Sequence, residues 1–313
     1  NPSQMGIGDV VDIVNWAPVR RSAMSEFAAR PSQCPKDDGI AALGSIDIDS
    51  WRALTDRAIE PNGYYLADWE LAVNASARDR TDAAILTAYE ANASGGCGAG
   101  PLIGLMPVIS MWQAYRIPLP ALVSADPYGT LCTPLLDRSK AEAAAAALLH
   151  KARAFGQHAL ILRNVALDGA AMKAFTAALE RDGLKPLTLQ AHARAYLDAT
   201  RDADDLLRDA LGAKKLKELR RQRNRLADHG DVSFEVARTP KDVAAALETF
   251  LALEASGWKA RRGTALAQHD GDVTFIRRAT AALAERGQCE IVTLRAGGTP
   301  VAAAIVLRHQ DRA

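Results

Sequence analysis

The chain has 313 residues, of which 49% are hydrophobic and 24% charged, and its formal net charge is +1. That length holds about two domains of ordinary size. Near-neutrality excludes binding of polyanions through bulk charge, so any basic patch has to be local.

The four cysteines, Cys34, Cys97, Cys132 and Cys289, lie far apart and never in C-x-x-C spacing. This fits reduced thiols better than a disulfide framework or a zinc site. The six histidines are scattered, with no H-x-x-x-H pair, so no metal is expected. No run reaches the roughly 20 apolar residues of a membrane helix; the richest, AEAAAAALLHKA at 141–152, is bracketed by charges. The first 30 residues lack the basic head and apolar core of a signal peptide. A cytoplasmic location is therefore expected, and Asn1 at the start suggests that the true start precedes it.

In chain order, residues 1–44 read as an irregular N-terminal arm, punctuated by ARPSQCPKDDG. From GSIDIDSWRALTDRAIEPNG onward a helix is expected, capped by Asp49 or Ser50, with Trp51, Leu54 and Ala58 on one face. A second helix should carry Leu66, Trp69 and Val73. Strand-type runs follow at AAILTAYE, PLIGLMPVISMWQ and IPLPALVSADPYGTLCTPLL. A helix over 139–154 precedes the strand ALILRNV, the helix DGAAMKAFTAALERDG and the strand PLTLQAHARAYLDA. This order defines an α/β domain over 45–200. Residues 201–230 read as a helical connector hinged at Gly212. Over 231–313 a second α/β run is expected: strand VSFEVAR, helix 240–256, helix VTFIRRATAALAERG, and strands CEIVTLR and VAAAIVLRH joined by AGGTP. A sheet this short, with its last edge unpaired, is expected to continue past Ala313.

Three segments are candidates for chemistry. On the connector, Leu216, Leu219, Leu226 and Ala227 form one stripe, with Arg223 among them, and Lys214, Lys217, Arg221 and Arg225 fall on the opposite side. Those four cations are either a solvated face or a platform for phosphates or an anionic polymer. Nucleic acid is disfavoured because no aromatic residues interleave with them. The loop SGGCGAGP has the glycines of a phosphate loop, but a strand-type run follows instead of a helix and Gly-Lys-Ser/Thr is absent, so a flexible connection is expected. In the third segment Thr239, Pro240 and Asp242 start a helix. Val243, Leu247, Phe250 and Leu251 make its apolar stripe, and Glu254 continues that stripe. An inward carboxylate needs a cation or a cleft. Lys259, Arg261 and Arg262 are near enough in sequence to supply the cation. Either the pair fixes the helix end, or Glu254 is a general base or substrate anchor, Trp258 an apolar wall, and Lys259 and Arg262 the seat of an anionic group.

The phrases LRRQRNRLADHGDVSFEVARTPKDVAAALETFLALEASGWKARRGTAL and GQCEIVTLRAGGTPVAAAIVLR, with PNGYYLADWELA and PLIGLMPV upstream, carry a family resemblance. The chain resembles the FemAB-like branch of the GNAT acyltransferase superfamily, in particular the CelD/BcsL-type acetyltransferases of cellulose biosynthesis. The resemblance runs from about residue 45 to the end and is strongest over 215–308. It implies two tandem GNAT-like α/β domains with mixed β-sheets, and acyl-CoA seated where two strands splay. It also implies a glycine-rich pyrophosphate loop. The matching turn of the first domain, CTPLLDRSKAE, has no glycines, and that of the second would fall beyond Ala313. The first domain is thus expected to be degenerate and the second truncated. The implied activity is N-acyl transfer from acetyl-CoA, with no metal, to an amine of a sugar, amino acid or polysaccharide precursor. The alternatives are a FemAB-type aminoacyl transferase that uses charged tRNA, or a non-catalytic scaffold of exopolysaccharide synthesis. The oligomeric state is not legible.

Overall fold

The computed structural model describes residues 7–11, 14–15 and 40–313, apart from 79, 81, 92–99 and 127. The glycine loop SGGCGAGP falls largely outside the described residues. Two compact units emerge, one within Val10–Asn74 and Asp82–His192, the other within Asn1–Asp9, Ala75–Thr81 and Ala193–Ala313.

The first elements are strands β1 (Ile7–Val11), β2 (Val14–Asn15) and β3 (Ile40–Ala42). They correct the expectation of a wholly irregular arm: β-branched Ile7, Val10, Val11 and Val14 favour the extended chain. Helix α1 (Ile48–Asp56) follows. Its cap is Asp47, not Asp49 or Ser50, because the Asp47 carboxylate accepts the N–H of Ser50 at 2.8 Å. Helix α2 spans Ala67–Ser76. Strands β4 (Ala84–Tyr89) and β5 (Leu102–Ser110) pair antiparallel. The strand expected through Gln113 stops at Ser110, which caps the short helix α3 (Met111–Tyr115) through a reciprocal Ser110–Gln113 box.

Strands β6 (Ala121–Ser124) and β7 (Leu135–Leu136) lead to helix α4 (Ala141–Ala154). After it come β8 (Ala159–Ile161), β9 (Val165–Ala166) and helix α5 (Ala170–Arg181). The sheet order is β2-β8-β6-β5-β4-β3, with β7 on β5. All its pairs are antiparallel except β6 and β8, whose helical crossover through α4 makes them parallel.

Successive residues of β4 and β5 face opposite layers, as the pleat requires. Ile85 and Leu105 pack with Trp51, Leu54, Tyr65 and Leu135 on one side. Leu86 and Met106 pack with Leu148, Phe175 and Leu179 of α4 and α5 on the other. Gly104 lets α4 sit close: a Cβ there would lie 3.2 Å from that of Ala144.

The second unit carries β10 (Ala191–Ala195) and the long helix α6 (Ala203–Ala227). Asp202 caps α6 by accepting the N–H groups of Asp204 and Asp205. Gly212, with φ 69° and ψ 164°, breaks its helical geometry where a hinge was expected. Strand β11 (Val232–Ala237) leads to α7 (Pro240–Ser256), α8 (Trp258–Arg261) and α9 (Asp270–Glu285). Strands β12 (Cys289–Ala296) and β13 (Thr299–Leu307) then form a hairpin. Its two-residue turn, Gly297-Gly298, has positive φ at both positions, as a primed turn demands.

The sheet order is β11-β12-β13, antiparallel throughout. The resemblance implied a mixed sheet in each unit; β6 and β8 of the first unit pair in parallel, whereas the β11-β12-β13 sheet has antiparallel pairs alone. Helices α7 and α9 bury Val243, Leu247, Leu251, Phe275, Ile276 and Leu283, and Ile291 of β12 is buried with them. On β11, Phe234 is left 69% exposed. Residues 75–81 join this unit through Arg78, whose N–H donates to the buried Asp272 carboxylate of α9 at 2.8 Å. Gly271 comes so close to the Ser76 carbonyl that a Cβ would lie 2.2 Å from it.

Candidate functional site

Helix α7 starts as its sequence dictates. Thr239 Oγ1 accepts the Asp242 N–H at 3.2 Å and donates to the Asp242 carboxylate at 2.7 Å, while Pro240 occupies the first turn. The spacing Val243, Leu247, Leu251 buries one stripe. Glu254 extends that stripe by nearly one more turn, which carries its carboxylate inward; the side chain is 6% exposed. Gly257 ends α7 in extended geometry and α8 begins at once. This tight reversal returns Lys259 toward the Glu254 end of α7.

Both oxygens of Glu254 are engaged. Oε1 accepts from Lys259 Nζ at 2.6 Å and Oε2 accepts the N–H of Leu266 at 2.8 Å. The carboxylate thus staples the end of α7 to α8 and to the buried turn at Leu266. Lys259 is 43% exposed on its side of the pair. Sequence reasoning missed Leu266, since a backbone donor leaves no compositional signal. It also missed Gln268, which accepts the Ala265 N–H at 3.3 Å and donates to the Ala260 carbonyl at 2.9 Å.

Trp258 is 55% exposed, and the Arg262 guanidinium lies 5.0 Å from its ring centroid, a cation–π pair at the surface. Glu254, Lys259, Trp258 and Arg262 are therefore gathered at one turn: an inward carboxylate pair behind, a stacked aromatic–cation pair in front. On α6, Lys214, Lys217, Arg221 and Arg225 are exposed. Arg221 is bound to Glu218 at 2.8 Å. Among the described residues no hydrogen bond or ion pair links these four cations to the α7–α8 turn.

Among the described residues no group of three or more His, Cys, Asp or Glu is placed to hold a metal ion. No helix among them is long and apolar enough to cross a membrane. The described cysteines, Cys132 and Cys289, are buried and free. Burial, above all, pushes both thiols up to about 12, so neither is a ready nucleophile at neutral pH.

Residues 213–313, from inside α6 through β13 and beyond, match the family model described as the acetyltransferase (GNAT) domain. The match takes in the α7–α8 turn and the α6 basic face. No curated protein matches the chain.

Proposed function

We propose that the chain is an N-acyltransferase that moves an acetyl or other acyl group from acyl-CoA to an amine of a sugar, amino acid or polysaccharide precursor. The observation that carries this reading is the GNAT-domain match over 213–313, since GNAT domains generally use acetyl-CoA. The tandem arrangement of two GNAT-like domains and the CelD/BcsL-type assignment belong to the same proposal.

In this reading the α7–α8 turn shapes the acceptor site. Trp258 gives an apolar wall, Arg262 holds an anionic group of the acceptor, and Glu254 acts through Lys259. A carboxylate already accepting from an ammonium and a backbone N–H is better suited to holding Lys259 in place than to removing a proton. The exposed Lys214, Lys217, Arg221 and Arg225 guide an anionic acceptor toward the unit.

The test is release of free CoA thiol from acetyl-CoA with a panel of amino sugars and amino acids, using the full chain. Turnover with at least one amine, reduced by Trp258→Ala and Arg262→Ala through a raised KM, is the expected result. Loss of turnover in Glu254→Gln with folding intact would restore that carboxylate as a base or anchor; unchanged turnover would remove it from the mechanism. A second reading, aminoacyl transfer from charged tRNA, is favoured by Lys214, Lys217 and Arg225, which make no hydrogen bond or ion pair among the described residues. It predicts tRNA binding that weakens steeply with salt and is lost when these three are changed to Gln. Absence of both acetyl-CoA binding and tRNA binding would leave a non-catalytic scaffold.

A further inference from the structure

One end of the first unit's sheet leaves large apolar side chains in water. Helix α3 follows directly on β5, and residues 116–120 return the chain to β6, where Leu122 pairs with Ser110. Over this return Trp112 is 51% and Leu119 59% exposed, and Tyr115 and Ile117 are exposed with them. Pro118 and Pro120 are exposed as well. On the neighbouring connection, from α4 to β8, Phe155 is exposed, and the His158 N–H donates to the Pro120 carbonyl at 2.7 Å. Exposed apolar residues are ordinary when scattered singly; gathered like this they mark a contact surface.

The backbone here has its own donors in hand. The Arg116 N–H donates to the Trp112 carbonyl at 2.9 Å, Leu119 to Ile117 at 2.9 Å and Ala121 to Leu119 at 2.8 Å. Pro118 and Pro120 have no N–H, and Ser110 and Gln113 satisfy each other in the capping box. Such a segment can leave water without stranding those donors, and it presents no row of N–H groups to a pairing strand. Its charge has one sign. From Ala91 to Ala125 the sole charged residue is Arg116, which is exposed at the left-handed C-cap of α3, with φ 59°. Tryptophan and tyrosine settle at a lipid–water boundary, where the ring is apolar and its N–H or O–H stays wet. Apolar side chains around one cation, with no carboxylate among them, match an anionic lipid surface: phosphates for the guanidinium, acyl chains for the rest.

We propose that the α3–β6 connection is a membrane-docking surface, in which Trp112, Ile117 and Leu119 enter the interfacial region of an anionic phospholipid bilayer and Arg116 meets its phosphates. The surface lies outside the residues that match the GNAT domain, and it stands whether or not the chain transfers acyl groups. The contact is peripheral, since α3 has five residues and a span needs about 20. Apolar insertion and the cation act together, and either alone holds weakly and reversibly.

The experiment is co-sedimentation of the full chain with vesicles of phosphatidylcholine and phosphatidylglycerol in equal parts, with pure phosphatidylcholine as the uncharged arm. Saturable binding to the mixed vesicles is expected, weaker on the pure ones and reduced by salt. Ile117→Ser combined with Leu119→Ser should weaken binding by about tenfold or more, and Arg116→Gln by less. Phe234→Ser, at an exposed position on β11, should leave it unchanged. All these side chains are exposed, so the far-ultraviolet circular dichroism of each variant should match that of the unmutated chain. Brominated acyl chains should quench the fluorescence of the bound chain, and should quench it less in Trp112→Phe. No binding to the mixed vesicles, full binding after the double substitution, equal loss in Phe234→Ser, or quenching that Trp112→Phe does not alter would each overturn the proposal. A lipid-free dimer that the double substitution dissolves would overturn it too, by assigning the surface to a second copy of the chain.

Discussion

Lys259 Nζ lies 2.6 Å from Glu254 Oε1, across the break at Gly257 that ends α7 and starts α8. The pair is asymmetric: Glu254 is nearly sealed, and Lys259 is half in water. Removing the cation leaves a charge inside, whereas neutralising the carboxylate leaves an ammonium that can hydrate. Lys259→Met should therefore destabilise the C-terminal unit by about 1–3 kcal/mol. Glu254→Gln, which keeps an acceptor for the Leu266 N–H, should cost less. Urea unfolding of both variants checks the order; equal losses would mean that the Lys259 contact contributes little.

Glu70 makes a pH-dependent contribution to stability. Burial first, and then the charge of Asp126, raise its carboxyl from the ordinary 4.5 to about 8 in the folded state. The folded state holds this proton more tightly than the unfolded state, so the contribution is fully present below about pH 4.5. It is lost as pH rises through about 8, at a slope of up to ~1.4 kcal/mol per pH unit between the two values. Glu70→Gln cannot titrate. Its stability relative to the unmutated chain should rise from pH 5 to pH 8 and level off above about 8. Denaturant melts across that range test it, and a pH-independent difference would refute it.

Two phenylalanines of the C-terminal unit should respond oppositely to truncation. Phe275 is fully buried in α9, and Phe234 stands mostly exposed on β11. Phe275→Ala should cost about 3–5 kcal/mol through lost burial and a cavity. Phe234→Ala should stay within about 0.5 kcal/mol, as surface changes do. Thermal denaturation of the two variants measures the contrast; a large loss at Phe234 would mean that its face is covered in solution.

Gly129 packs against the Tyr64 ring, so that an added Cβ would lie 2.2 Å from it. Tyr64 in turn meets Trp69 edge-to-face at 5.8 Å. Gly129→Ala should displace this ring and destabilise the first unit by about 1–3 kcal/mol. The change in near-ultraviolet circular dichroism and in the unfolding midpoint reads it directly, and an unaltered spectrum would show that the loop yields instead.

The longer α and β elements from residue 45 onward were legible because period and punctuation are local; the short β7, β9 and α8 were not. Thr239 and Pro240 start α7 where expected, and Gly297-Gly298 turns the final hairpin. The inward direction of Glu254 was legible too, because 100° per residue places it on the Val243 stripe. The short helix after Ser110 was not, since Met111, Trp112 and Tyr115 suit a strand as well and only the Ser110–Gln113 box decides between them. Nor did the sequence disclose which group completes the Glu254 pair: Lys259, Arg261 and Arg262 were equal candidates until the reversal at Gly257 brought Lys259 alone to the carboxylate.

Glu70 marks the limit most clearly. In DWELAV it reads as an ordinary carboxylate in the first turn of a helix, where negative charge is favoured. What the sequence by itself determined is what repeats within a few residues: helix faces, caps, turns and the inward set of Glu254. What only the tertiary structure decided is which distant groups act on a buried carboxylate: Lys259 and Leu266 at Glu254, and the charge of Asp126 on Glu70. Coulomb and desolvation energies depend on distance and dielectric, and neither is a property of position along the chain.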